Sequence, residues 1–165
     1  MKNERIRLIA LNAIVAALYA VFTVLTSLIS YGDIQFRLSE IMILLSLRSK
    51  KYLPGLILGC LAANLFSPLW QYDVPFGTLA TVIALLLIVL VNNIYFVPII
   101  GAVVNGVIVG TSLFLAFDLP LLPSMGWVAL GEFAVLVLGV VLVKLLSLNK
   151  GLCKHAEALE RNFLF

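Results

Sequence analysis

Within the otherwise apolar stretch IQFRLSEIMILL, an arginine and a glutamate stand three residues apart, at Arg37 and Glu40. On a helix that spacing puts both side chains on one face. Asn64, Thr78, Thr81, Asn105 and Glu132 are likewise set into runs of aliphatic residues. Carboxylates, amides and a guanidinium in such surroundings can hold a polar ligand by hydrogen bonds and ion pairs. They are poorly equipped to turn one over. The one histidine, His155, lies in the polar C-terminal stretch, and the chain has no His-Glu-x-x-His, no Gly-x-Ser-x-Gly and no Gly-rich Lys-Ser/Thr loop to cradle a nucleotide phosphate. The reading is therefore of a binding protein: no enzyme, no metal centre, no cofactor and no ATP chemistry of its own.

The elements that must position these groups follow from composition. The 165 residues are 63% hydrophobic and 12% charged, with a mean hydropathy of +1.16, against roughly 45–50% apolar and about 25% charged in soluble domains. Apolar runs at roughly 8–30, 34–47, 52–67, 76–96, 97–117 and 125–148 come close to the length a helix needs to cross a hydrocarbon core about 30 Å thick. They predict an all-α, polytopic protein: one six-helix transmembrane domain over 1–148 and a short tail over 149–165. The fourth and fifth runs are separated only by NNIYFVP, which leaves a five-span alternative, although Pro98 is well placed to open a helix. The first run continues to about Ser30 without a small-residue cleavage site and reads as a retained helix.

Lys2, Arg5 and Arg7 precede the first run, Arg48, Lys50 and Lys51 join the second to the third, and Lys150 and Lys154 follow the sixth. The opposite connections carry Asp33, Asp73 and Asp118 and no basic residue. Basic segments stay on the cytoplasmic side, so both termini are expected inside and the acidic connections outside, in a multi-pass protein of the cell membrane. That distribution accounts for the net charge of +3 without a nucleic-acid partner. Cys60 and Cys153 fall at different membrane levels, so no disulfide is expected.

An ionised side chain near the bilayer centre costs roughly 2.5–3.5 kcal/mol on insertion scales, which makes intramembrane charges functional or internally paired by default. With the second run starting near Ile34, Arg37 lies about 5 Å and Glu40 about 9 Å below the outer surface, and Glu132 is about 12 Å into the sixth run. The polar residues thus gather in the outer half. They form either an ion pair that only fixes packing or, the favoured reading, a polar pocket open to the outside. Glu132 then needs a proton, a partner such as Arg37, or a cationic ligand. Small-xxx-small spacings mark close approach of helices: Gly55, Gly59 and Ala63 in the third run and Ala102, Gly106 and Gly110 in the fifth are expected to pack internally. Ala13 with Ala17, or Ala16 with Ala20, can face another protein.

Five ordered blocks, IQFRLSE (34–40), LPGLILGCLAANLFSP (53–68), DVPFGTLAT (73–81), VPIIGAVVNGVIVG (97–110) and GWVALGEF (126–133), resemble the queuosine-precursor transporter family. Its members are substrate-binding (S) components of energy-coupling-factor transporters. The resemblance implies a six-helix bundle that captures prequeuosine, an aminomethyl-deazaguanine, from outside. It also implies a transmembrane coupling subunit and two cytoplasmic ATPases as partners, with the coupling subunit docking on the first-helix alanines, Ala13 and Ala17 or alternatively Ala16 and Ala20. A carboxylate can take two adjacent donors of a guanine-like edge, and a second can hold the aminomethyl cation; Glu40 and Glu132 are the candidates. Arg37 or Asn105 can donate to the ring carbonyl, Asn64 and Thr78 add polar contacts, and Trp127, Phe36, Trp70 or Tyr72 can stack on the ring. Another vitamin, purine or pteridine as ligand, and a membrane scaffold without ligand, are the competing readings.

Overall fold

The computed structural model describes residues 2–30 and 36–148, and over these the chain is helical throughout its ordered elements. The expected C-terminal tail and the start of the second span lie outside the described residues. Helix α1, Lys2–Leu25, contains neither glycine nor proline, and Glu4 in its first turn complements the helix dipole. Helix α2 covers residues 38–48. It is wound as a 3-10 helix over Leu38–Leu44 and as an α-helix over Leu45–Arg48. Helix α3, Leu53–Leu65, opens on Pro54 in its first turn, where a missing N–H costs nothing.

Helix α4, Trp70–Val91, begins with an α-turn and a π-helical segment at Asp73–Gly77 before regular winding from Thr78. Pro75 cannot donate to the carbonyl four residues back, so regular α winding is broken at this point. Asn92 and Asp118, both left-handed with φ of 49° and 53°, end α4 and the next helix. That helix, α5 at Val97–Phe117, has Pro98 in its first turn as expected. Helix α6, Leu121–Leu148, is the longest.

Four helices, α1, α4, α5 and α6, are long and apolar enough to cross a membrane. Helices α2 and α3 each reach only about 20 Å. The outer surface is apolar, with Leu28, Leu25, Leu90 and Leu122 among its most exposed residues. In water such a surface would be an aggregation site; against lipid tails it is the expected exterior.

Glycines hold the helices together where the sequence placed small-residue spacings. A Cβ added at Gly55 would meet the Asn12 backbone at 2.8 Å, and one at Gly59 would meet the Tyr19 Cβ at 2.7 Å. Helices α1 and α3 therefore touch backbone to backbone. A Cβ at Gly110 would lie 2.6 Å from Met125 Cα, and one at Gly106 would lie 2.8 Å from Ala129 Cβ, which fixes α5 against α6. Helix α2 lies between these two pairs. Its Leu44 and Ile41 press on Gly139 of α6, and its Ile43 sits in the core with Leu56 and Leu136.

Candidate functional site

The 3-10 winding of α2 eclipses residues three apart, so Arg37, which caps the helix, Glu40 and Ile43 line up along one edge. All three are buried. The Arg37 guanidinium turns towards α4, where its Nη2 lies 3.8 Å from Asp73 Oδ1. The other carboxylate oxygen of Asp73 accepts a hydrogen bond from the Ser67 hydroxyl. Asp73, read from the sequence as part of an outer connection, is 2% exposed and belongs to a chain already helical from Trp70.

Glu40 is held from two sides. The Tyr19 hydroxyl on α1 donates to Glu40 Oε1 at 2.5 Å, and the Thr81 hydroxyl on α4 approaches the same oxygen at 3.4 Å. Thr81 also donates to the Gly77 carbonyl at 3.1 Å and touches the Cys60 thiol at 3.1 Å. Among the described residues no hydrogen bond reaches Glu40 Oε2. The Asn64 amide donates to Thr78 Oγ1 at 3.2 Å and to the Cys60 sulfur at 3.4 Å. Gly77 makes room for it: a Cβ there would stand 2.9 Å from Asn64 Nδ2 and 3.3 Å from Arg37 Nη1. Cys60 is a buried free thiol.

Glu132 of α6 lies over Gly101 of α5, whose added Cβ would stand 3.4 Å from Glu132 Oε1. One turn on, Asn105 donates to the Gly101 carbonyl at 3.1 Å. Glu132 stands two turns before Gly139, where α6 packs against Ile41 and Leu44 of α2, the helix that carries Glu40, which joins the two groups in one buried polar layer. Two acceptors in it, Glu132 Oε1 and Asn64 Oδ1, are buried without a hydrogen-bond partner. Leaving such atoms unsatisfied costs about 1–3 kcal/mol each.

Six of the seven candidate ligand residues, Arg37, Glu40, Asn64, Thr78, Asn105 and Glu132, thus converge. Trp127 does not join them: it is 51% exposed on α6. Trp70 and Phe36 are also exposed. Tyr19, Asp73, Ser67 and Cys60 are the residues that the candidate list lacked. A signal for Tyr19 was present, since Asn12, Tyr19 and Thr23 form one buried stripe of polar groups along an otherwise apolar helix.

The charges do not balance. Arg37 is the one buried basic residue among the described residues, set against the buried carboxyls of Glu40, Asp73 and Glu132. Asp73 is engaged by Arg37 and Ser67. Glu40 and Glu132 remain, together with the orphaned Asn64 oxygen. Such a site takes protons, a cation, or a ligand rich in hydrogen-bond donors.

A family model described as QueT transporter matches residues 9–148. A relative from Lactococcus lactis subsp. cremoris (strain MG1363), named Queuosine precursor transporter QueT, is 34% identical over 159 residues, covering 87% of this chain and 94% of its own length. No solved structure matches the chain.

Proposed function

Because the chain belongs to the QueT transporter family, a family of membrane transport proteins, we propose that it is the substrate-binding S component of an energy-coupling-factor transporter. It takes prequeuosine from outside, and a transmembrane coupling subunit and two ATPases drive the uptake. The observation that carries this reading is the pair of buried acceptors without a hydrogen-bond partner, Glu132 Oε1 and Asn64 Oδ1, beside a buried Glu40 carboxylate whose hydrogen bonds all fall on one oxygen. Prequeuosine has the complementary chemistry, with adjacent N–H donors on its pairing edge and an ammonium on its side arm. The relative's name, a queuosine precursor transporter, supports the same ligand class.

In this reading the chain crosses the membrane six times with both termini inside. The buried polar layer faces the outer half. Ala13 and Ala17 lie exposed on α1 and form the docking face. Ala16 is turned inward, where a Cβ on Gly59 would meet its backbone at 3.0 Å, which favours the first of the two alanine registers.

The test is thermal stabilisation of the detergent-purified chain by prequeuosine, guanine, riboflavin and folate. A ligand that binds only the folded state at about a hundred times its Kd adds about 2.7 kcal/mol of apparent stability. Prequeuosine alone should raise the melting temperature strongly. Stabilisation by riboflavin or folate in its place would assign another vitamin, and no saturable shift with any of the four would return the polar layer to a packing role.

A further inference from the structure

We propose that Tyr19 is a positioning residue for substrate selection: it holds Glu40 by one carboxylate oxygen so that the other is presented to the ligand. The inference rests on the reading that this cluster binds prequeuosine, and it adds a residue that neither the candidate motif nor the ligand chemistry requires. The geometry carries it. The phenol donates to Oε1 at 2.5 Å, and the Thr81 hydroxyl approaches the same atom at 3.4 Å, while Oε2 takes no hydrogen bond among the described residues. The single proton of Thr81 is shared with the nearer Gly77 carbonyl at 3.1 Å, which leaves Tyr19 as the firm donor.

Tyr19 is itself immobilised. Its ring is buried, and its Cβ lies where a Cβ on Gly59 would clash at 2.7 Å. Seven residues earlier on the same helix, Asn12 accepts from the Gly55 amide at 2.6 Å and donates to the Lys51 carbonyl at 3.0 Å. Helix α1 is thereby clamped to α3, and the clamp sets the phenol and through it the carboxylate. Glu40 consequently offers the ligand one oxygen in place of a bidentate fork. The remaining donors of a guanine-like ring and its ammonium fall to Glu132 and Asn64 Oδ1, the acceptors left without partners.

The experiment is a double-mutant cycle on the full chain in detergent, with prequeuosine titrated against wild type, Tyr19→Phe, Glu40→Gln and the double variant. Tyr19→Phe keeps the packed ring and removes the donor. It is expected to weaken binding about tenfold, in line with a hydrogen bond to a charged group, and to do so less than twofold when Glu40→Gln is already present, because no carboxylate remains to be turned. A purely structural tyrosine would lower affinity by the same factor in both backgrounds, and that additivity would overturn the inference while leaving the ligand assignment standing. If wild type shows no saturable prequeuosine binding, the ligand assignment fails and the inference with it. If Tyr19→Phe is too unstable to purify, Thr81→Val removes the weaker donor to the same oxygen. A two- to threefold loss that depends on Glu40 is then expected, and a loss independent of Glu40 overturns the proposal.

Discussion

Glu132 and Asp73 are both buried carboxyls, and their neighbours give them different tasks. Asp73 has an arginine and a serine hydroxyl on its oxygens, whereas Glu132 Oε1 has no hydrogen-bond partner. Glu132→Gln should therefore weaken prequeuosine binding at least tenfold, since a charge-assisted contact contributes about 1.5–3 kcal/mol. The melting temperature of the empty protein should hold or rise, because an amide is cheaper to bury than an unpaired carboxylate. An unchanged Kd would remove Glu132 from the ligand. Asp73→Asn should do the reverse. Breaking a buried pair costs about 3–5 kcal/mol, so its main effect should be a lower melting temperature in the absence of ligand. The carboxyls at 40 and 132 were legible in the sequence because a charge inside an aliphatic run has few explanations. Asp73 was not, because it follows Trp-Gln-Tyr and precedes Val-Pro, a context that reads as a turn until the π-winding makes it the first stretch of a helix.

At the scale of elements, the all-helical class was legible from the apolar runs, four of which become helices long and apolar enough to cross a membrane, and α5 falls on 97–117 as read. The winding within them was not. Nothing in hydropathy distinguishes the 3-10 turns of Leu38–Leu44 from α-helix, yet the tighter winding is what aligns Arg37 with Glu40. It also stretches α2, since seven residues rising about 2.0 Å each travel about 3–4 Å further than in an α-helix. Helix contacts lend themselves to a paired comparison. Gly59→Ala would drive a methyl into Tyr19 Cβ and the Ala16 backbone, so it should destabilise the fold and weaken ligand binding together by moving the phenol. Gly126→Ala meets nothing within 4 Å and sits in α6, where alanine is favoured over glycine by about 1 kcal/mol. Thermal melts of the two variants should shift in opposite directions, and equal shifts would show that α1 and α3 are not in backbone contact.

Across the whole molecule, α1 faces two ways: Asn12, Tyr19 and Thr23 are buried, while Ala13, Ala17 and Leu18 are exposed. Ala13→Leu or Ala17→Leu should leave prequeuosine binding to the isolated chain intact and reduce uptake by cells carrying the coupling subunit, because bulk on a close-packing face blocks approach. Ala16→Leu, pressed against Gly59, should instead impair folding of the isolated chain. Uptake at the wild-type level in the first two variants would move the docking face elsewhere. The buried charges have a further consequence once a membrane potential is applied. In the proposed orientation the acceptor layer lies about 9–12 Å below the outer surface, roughly a third of the way through a core about 30 Å thick. A cation entering it from outside falls through about a third of the field, gaining roughly 0.8 of the 2.3 kcal/mol per charge available at 100 mV. In liposomes held negative inside, prequeuosine should then bind about fourfold more tightly than in unpolarised ones, and guanine, which lacks the ammonium, should bind equally in both: the empty receptor would act as a weak voltmeter for the charge of its own cargo.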